Sequence, residues 1–101
     1  MSVHTVSATF KFKTIEGRDT FINILKGNDG FIKTRQFKGC QMIECYVSNS
    51  NDKHVILWEK WDAQSDHEAY LEMRKNAGLF DLLGDLLEEP LDIVRMTHVR
   101  C

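Results

Sequence analysis

The sequence is short of the features that mark several large classes of protein. No apolar run approaches the roughly 20 residues that a membrane-spanning helix needs. Lysine and arginine do not outweigh the acids: the formal charge is -2, so there is no concentrated basic face of the kind that binds nucleic acid. The densest basic stretch, Lys33, Arg35 and Lys38, reads as a solvated helix end. Cysteine is scarce as well. Cys40, Cys45 and Cys101 are odd in number and lack CxxC spacing, and no secretory leader is evident, so three free thiols and a cytoplasmic location are expected. Cys40 and Cys45 stand five apart in one strand pattern, which is expected to point them to opposite faces. There is no dinucleotide-binding glycine pattern, repeat, linker or low-complexity segment. His4, His54 and His98 fall on separate elements, and a metal site needs about three converging ligands, so no metal and no cofactor are expected.

What remains is a chain of 101 residues, 43% hydrophobic and 28% charged, the size and make-up of one globular domain spanning residues 1–101. Val6, Ala8, Phe10 and Phe12 alternate with polar residues, predicting a half-buried strand over Thr5 to Lys13. Helical spacing follows from about Gly17 to Gln36, with a kink or interruption expected near Gly27-Asn28-Asp29-Gly30 and Gly39 closing the loop. Cys40 to Ser48 alternates again, and after a polar turn His54 to Trp61 is almost continuously apolar, as in a central strand covered on both faces. Ser65-Asp66-His67-Glu68 has the form of a capping box that opens a helix carrying Tyr70, Leu71 and Met73. A second amphipathic piece, Leu79 to Leu87, leads to Pro90 and a last strand over Leu91 to Val99.

The order strand, helix, strand, strand, helix, strand is the split βαβ arrangement of the ferredoxin-like α+β fold, a four-stranded antiparallel sheet with helices on one face. The other face would carry Met42, Tyr46, Ile56 and Trp58, a set too apolar to face water comfortably. A homodimer joined through that face is therefore expected.

Thr34-Arg35 with Lys38-Gly39-Cys40 at the end of the first helix, then Leu57-Trp58-Glu59-Lys60-Trp61 ahead of a capped helix, form an ordering that covers nearly the whole chain. In this it resembles the antibiotic-biosynthesis-monooxygenase-like proteins, which are dimeric α+β barrels. The resemblance implies an oxidoreductase that uses no metal or flavin and oxidises an aromatic or quinol-like small molecule that itself supplies electrons to oxygen. Other members of that family degrade haem or isomerise small sugar-derived signals. The haem-degrading members pair a first-strand asparagine with a tryptophan and a histidine. Trp61 matches the tryptophan, but the first strand has no asparagine and no histidine lies between His67 and His98.

Four residues are candidates for chemistry. Leu57, Glu59 and Trp61 share one strand face, so Glu59 projects toward the helices; buried without a partner, its pKa would rise and make it an acid or base. The alternative pairs Glu59 with Arg74 as a structural contact. His67, Tyr70, Leu71 and Arg74 follow i, i+3, i+4, i+7 spacing and share a helix side, with His67 as a proton acceptor and Arg74 as an anion clamp. The alternative leaves His67 exposed in the first turn. Trp61 is expected as a pocket wall, and Phe10, Leu57, Tyr70 and Phe80 as substrate contacts. Beside the oxygenase stand two other readings, an isomerase or epimerase of a small polar metabolite and a non-catalytic ligand-binding dimer.

Overall fold

The computed structural model describes residues 3–101. Its elements run β1 (His4–Lys11), α1 (Ile15–Lys26), α2 (Phe31–Gln36), β2 (Cys40–Val47), β3 (His54–Trp61), α3 (Gln64–Asn76), α4 (Leu79–Leu86) and β4 (Asp92–Thr97). The strands form one antiparallel sheet in the order β2-β3-β1-β4. Each helical crossover passes over one intervening strand, which is the split βαβ connection of the ferredoxin-like fold.

The period of two decides which side chains meet the helices. Val6, Ala8 and Phe10 of β1 and Val55, Leu57, Glu59 and Trp61 of β3 are all buried under the helical layer. Phe10 and Phe12 meet Phe21 of α1 at centroid separations of 4.6 and 5.4 Å. Each such side chain contributes about 1.5–3 kcal/mol by leaving water, so this cluster anchors α1 to the sheet. A second cluster joins Val6, Trp61 and Tyr70, with Phe37 packed against it. The opposite side of the sheet is uncovered, with Tyr46 52% and Trp58 38% exposed. β3 is thus central in the hydrogen-bonded order but covered on one face, where the apolar run had suggested two.

α1 begins where the Thr14 hydroxyl accepts a hydrogen bond from the Gly17 amide, and it buries Gly17, Phe21 and Leu25 at successive four-residue steps. The expected interruption is real and splits the segment into two helices. A side chain at Gly30 would collide with the Leu25 and Ile24 carbonyl oxygens, so only glycine lets the chain fold back this closely.

Three local expectations are corrected. β2 carries an irregularity between Cys40 and Met42: Cys40 pairs with Trp61 and Met42 with Lys60. The extra residue, Gln41, resets the alternation, so Cys40 and Cys45 lie on the same, helix-covered face rather than on opposite ones. Both remain free thiols. The expected capping box at Ser65 is absent: α3 starts two residues earlier, with Ala63 at the N-cap and no side-chain cap bond. The chain turns directly out of β3, and the Ala63 carbonyl takes the Asp66 amide proton at 3.1 Å. α4 ends before Pro90 for another reason, because Leu87 is extended and bridges to Phe12 beside the end of β1.

Candidate functional site

A cavity lies between the sheet and the helices, walled by Ala8, Phe10, Leu57 and Ile93 from below and Leu71, Leu79 and Phe80 from above. Its volume is about 40 Å³. That is room for a few water molecules. Among these mainly apolar walls stand four polar side chains from the candidate set, Glu59, His67, Tyr70 and Arg74.

Glu59 projects from the middle of β3 and is 3% exposed. Its Oε1 accepts a hydrogen bond from the Trp61 indole Nε1–H at 3.0 Å, and His67 Nε2 approaches the same oxygen at 3.6 Å. Loss of water around the carboxylate pushes its pKa up to about 7, against the smaller opposing effects of the Trp61 hydrogen bond and the Arg95 charge. The alternative in which Arg74 neutralises it does not occur.

His67 is 1% exposed, so the first-turn solvent position is not the one it takes. Because α3 starts early, His67 lies far enough into the helix to face the sheet. Burial, then the Arg95 and His4 charges, lower its pKa to about 4. At neutral pH the ring is uncharged, and its approach to Glu59 is that of a neutral imidazole.

Arg74 also faces inward, but most of its guanidinium is engaged. Nε donates to the Tyr70 hydroxyl at 2.8 Å, Nη1 to the Asp29 carbonyl at 2.6 Å, and Nη2 to the Gly30 carbonyl and the Thr34 hydroxyl, both at 3.0 Å. Tyr70 and Thr34 complete the network at 2.7 Å. Arg74 therefore binds the loop between α1 and α2 to α3, and Tyr70 is held upright on the cavity wall. Trp61 differs from expectation in place. It is fully buried behind Glu59, His67 and Tyr70, and meets the cavity only through the hydrogen bond it gives to Glu59. Phe10, Leu57, Tyr70 and Phe80 all line the cavity as the face assignments required.

Two residues of the site were given no role by the sequence reading. Arg95 of β4 lies in one cross-sheet row with Val6, Glu59 and Ile43, and its Nη1 reaches His67 Nδ1 at 3.0 Å. Its signal was present, since Leu91, Ile93 and Arg95 share one alternation and a cation there falls on the helix side. Thr34, fully buried in α2, was signalled only by its four-residue spacing from Gly30, whose carbonyl accepts its hydroxyl at 3.2 Å. Among the described residues, no three His, Cys, Asp or Glu side chains converge as a metal-ligand set.

No family model matches the chain, and no curated protein matches it in sequence. Solved structures do. A conserved protein from Methanosarcina mazei superposes with a TM-score of 0.81 at 20% identity, over 95% of this chain and 92% of that one. A structure described as an antibiotic biosynthesis monooxygenase gives 0.76 at 18% identity, over 96% and 99% of the two chains. A monooxygenase from Streptomyces coelicolor, solved in complex with nanaomycin D, gives 0.78 at 17% identity, over 99% and 90%. At such identities the likeness is one of fold, and the chain has the α+β fold that antibiotic biosynthesis monooxygenases of known structure share.

Proposed function

We propose that the protein is a cofactor-independent monooxygenase of an aromatic or quinol-like small molecule, with Glu59 taking the phenolic proton. The observation that carries this reading is a carboxyl group with a pKa of about 7, buried on the wall of an apolar cavity. A base titrating near neutrality combines a useful ionised fraction with a useful affinity for the proton. Once deprotonated, a phenol is electron-rich enough to reduce oxygen. One oxygen atom bonds to a ring carbon and the other leaves as water with the hydrogens lost from the phenolic O–H and the ring C–H. Every electron comes from the substrate, so neither metal nor flavin is required.

Phe10, Leu57 and Phe80 supply apolar contact for the ring, and Tyr70 offers its hydroxyl as the polar group that orients it. His67 and Trp61 act on Glu59 from behind. A ring is larger than the present cavity, so binding requires the cavity walls to give way. The monooxygenase structures of the same fold, one of them solved with nanaomycin D, support this choice of chemistry over others.

The same reading gives the protein a small-molecule substrate, a second copy of itself as its partner, and a cytoplasmic location suited to its three free thiols. No helix among the described residues is long and apolar enough to cross a membrane. The test is oxygen consumption over a panel of dihydroxyaromatic compounds, with autoxidation controls and no added cofactor. Uptake above the protein-free rate is expected, falling about 100-fold or more in Glu59→Gln. Uptake that never exceeds the protein-free rate across the panel would remove the monooxygenase reading.

A further inference from the structure

A neutral imidazole has one ring proton and two nitrogens to carry it, and the contacts of His67 decide between them. A guanidinium only donates hydrogen bonds. Arg95 Nη1, 3.0 Å from His67 Nδ1, therefore requires an unprotonated Nδ1. The ring proton then sits on Nε2, the nitrogen that faces Glu59 Oε1 at 3.6 Å. The same Nη1 lies 2.9 Å from His4 Nε2 on β1, which fixes the guanidinium from its other side. The charged and titratable groups around His67 are thus Glu59 from β3, Arg95 from β4 and His4 from β1, while Glu68 of α3 acts on His4.

We propose that Arg95 is a positioning residue: through its hydrogen bond to Nδ1 it holds His67 as the Nε2–H tautomer, so that His67 donates toward the Glu59 carboxylate and takes no proton from it. The inference rests on Glu59 as the proton acceptor and adds what becomes of the proton. The nitrogen facing Glu59 already bears hydrogen, and the other nitrogen is occupied by Arg95. A proton taken from the substrate O–H therefore stays on Glu59 until the cavity needs it. When the O–O bond breaks, the departing oxygen becomes water by taking this proton and the one released from the ring carbon. Atoms and charge balance with no proton crossing His67.

Nitrogen NMR of histidine-labelled protein tests the geometry without a substrate, with the His67 signals assigned by difference from His67→Gln. At about pH 7 the wild type is expected to show a neutral ring, protonated at Nε2 and unprotonated at Nδ1. In Arg95→Leu the lock is expected to fail, mixing the two tautomers and moving the ring's titration up toward the ordinary imidazole value. Arg95→Lys keeps a cationic donor and is expected to recover part of the Nε2–H form. Arg95 is exposed on an edge strand, so these variants are expected to fold. A wild-type ring protonated at Nδ1, or at both nitrogens, would overturn the proposal by itself, whatever the variants do. So would an Arg95→Leu spectrum unchanged from wild type. Where a substrate is found, Arg95→Leu is expected to lower kcat about tenfold with little change in KM. A protein that oxidises no quinol yet shows the expected spectrum counts against the monooxygenase reading alone.

Discussion

At the scale of single residues, the shifted pKa values of Glu59 and His67 act on stability in opposite directions. The folded pKa of Glu59, about 7, lies above its ordinary 4.5. Between those values the folded protein keeps a proton that the unfolded chain has released, so this group lowers stability as pH rises, by about 3 kcal/mol once the window is crossed. His67 is displaced the other way, from 6.5 to about 4. Between those values the unfolded chain takes a proton that the folded ring refuses, so stability is lost as pH falls through this window. The slopes largely cancel where the windows overlap. Glu59→Gln removes only the first and keeps an oxygen for the Trp61 N–H. The variant is therefore expected to be more stable than wild type at about pH 8, with the gain shrinking to nothing below about pH 4.5. Urea denaturation at both ends of this range checks it, and a gain that does not depend on pH would show that the carboxyl is not desolvated. The inward direction of Glu59 was legible from the period of two in Leu57, Glu59 and Trp61. Its freedom from Arg74 was not, because two of the partners of Arg74 are main-chain carbonyls of a distant loop, and any sequence can supply a carbonyl.

At the scale of elements, the loop between α1 and α2 matters because its carbonyls hold Arg74 and, through it, Tyr70 on the cavity wall. Gly30→Ala would drive a methyl group into the last turn of α1, and a loss of about 2 kcal/mol or more is expected. Gly84→Ala, in the interior of α4 with open space around it, is expected instead to add about 0.5–1 kcal/mol. Thermal melts of the two variants separate the cases; similar shifts of the same sign would contradict the packing described for Gly30. The break itself was legible, since Gly27-Asn28-Asp29-Gly30 combines two helix breakers with two turn formers. The order of elements and the buried face of β1 were legible too, because strict alternation in Val6 to Phe12 has a single interpretation. The irregularity at Cys40–Met42 and the start of α3 at Ala63 were not. The first depends on the register with β3, which the sequence of β2 does not contain. The second depends on how tightly the chain turns out of Trp61, and a serine two residues later offered a more conventional cap.

At the scale of the whole molecule, the uncovered sheet face is the surface that most needs a partner. The row Glu44, Trp58, Ser7 and Val94 crosses all four strands, and Tyr46 and Ile56 lie in the next row. A second copy packed there would cover the exposed Trp58, Tyr46 and Val94 at once. Wild-type protein is expected to elute as a dimer by light scattering at micromolar concentration. Trp58→Glu is expected to shift it toward monomer, because the interface would then bury an unpaired charge. A wild-type monomer would contradict the assembly. This face was legible from the sequence, because apolar residues on the solvent parity of a strand gain nothing from water and gain burial from a second chain.

Fold, cavity and assembly bear on function through the Glu59 carboxyl, and its titration is the most direct test. Carbon NMR of protein labelled at glutamate side-chain carboxyls, with Glu59 assigned by its absence in Glu59→Gln, reads that group alone. A midpoint at about 7 is expected. A midpoint near the ordinary glutamate value of 4.5 would mean that the carboxyl is solvated and ionised throughout the physiological range, and would contradict its assignment as the base of a monooxygenase.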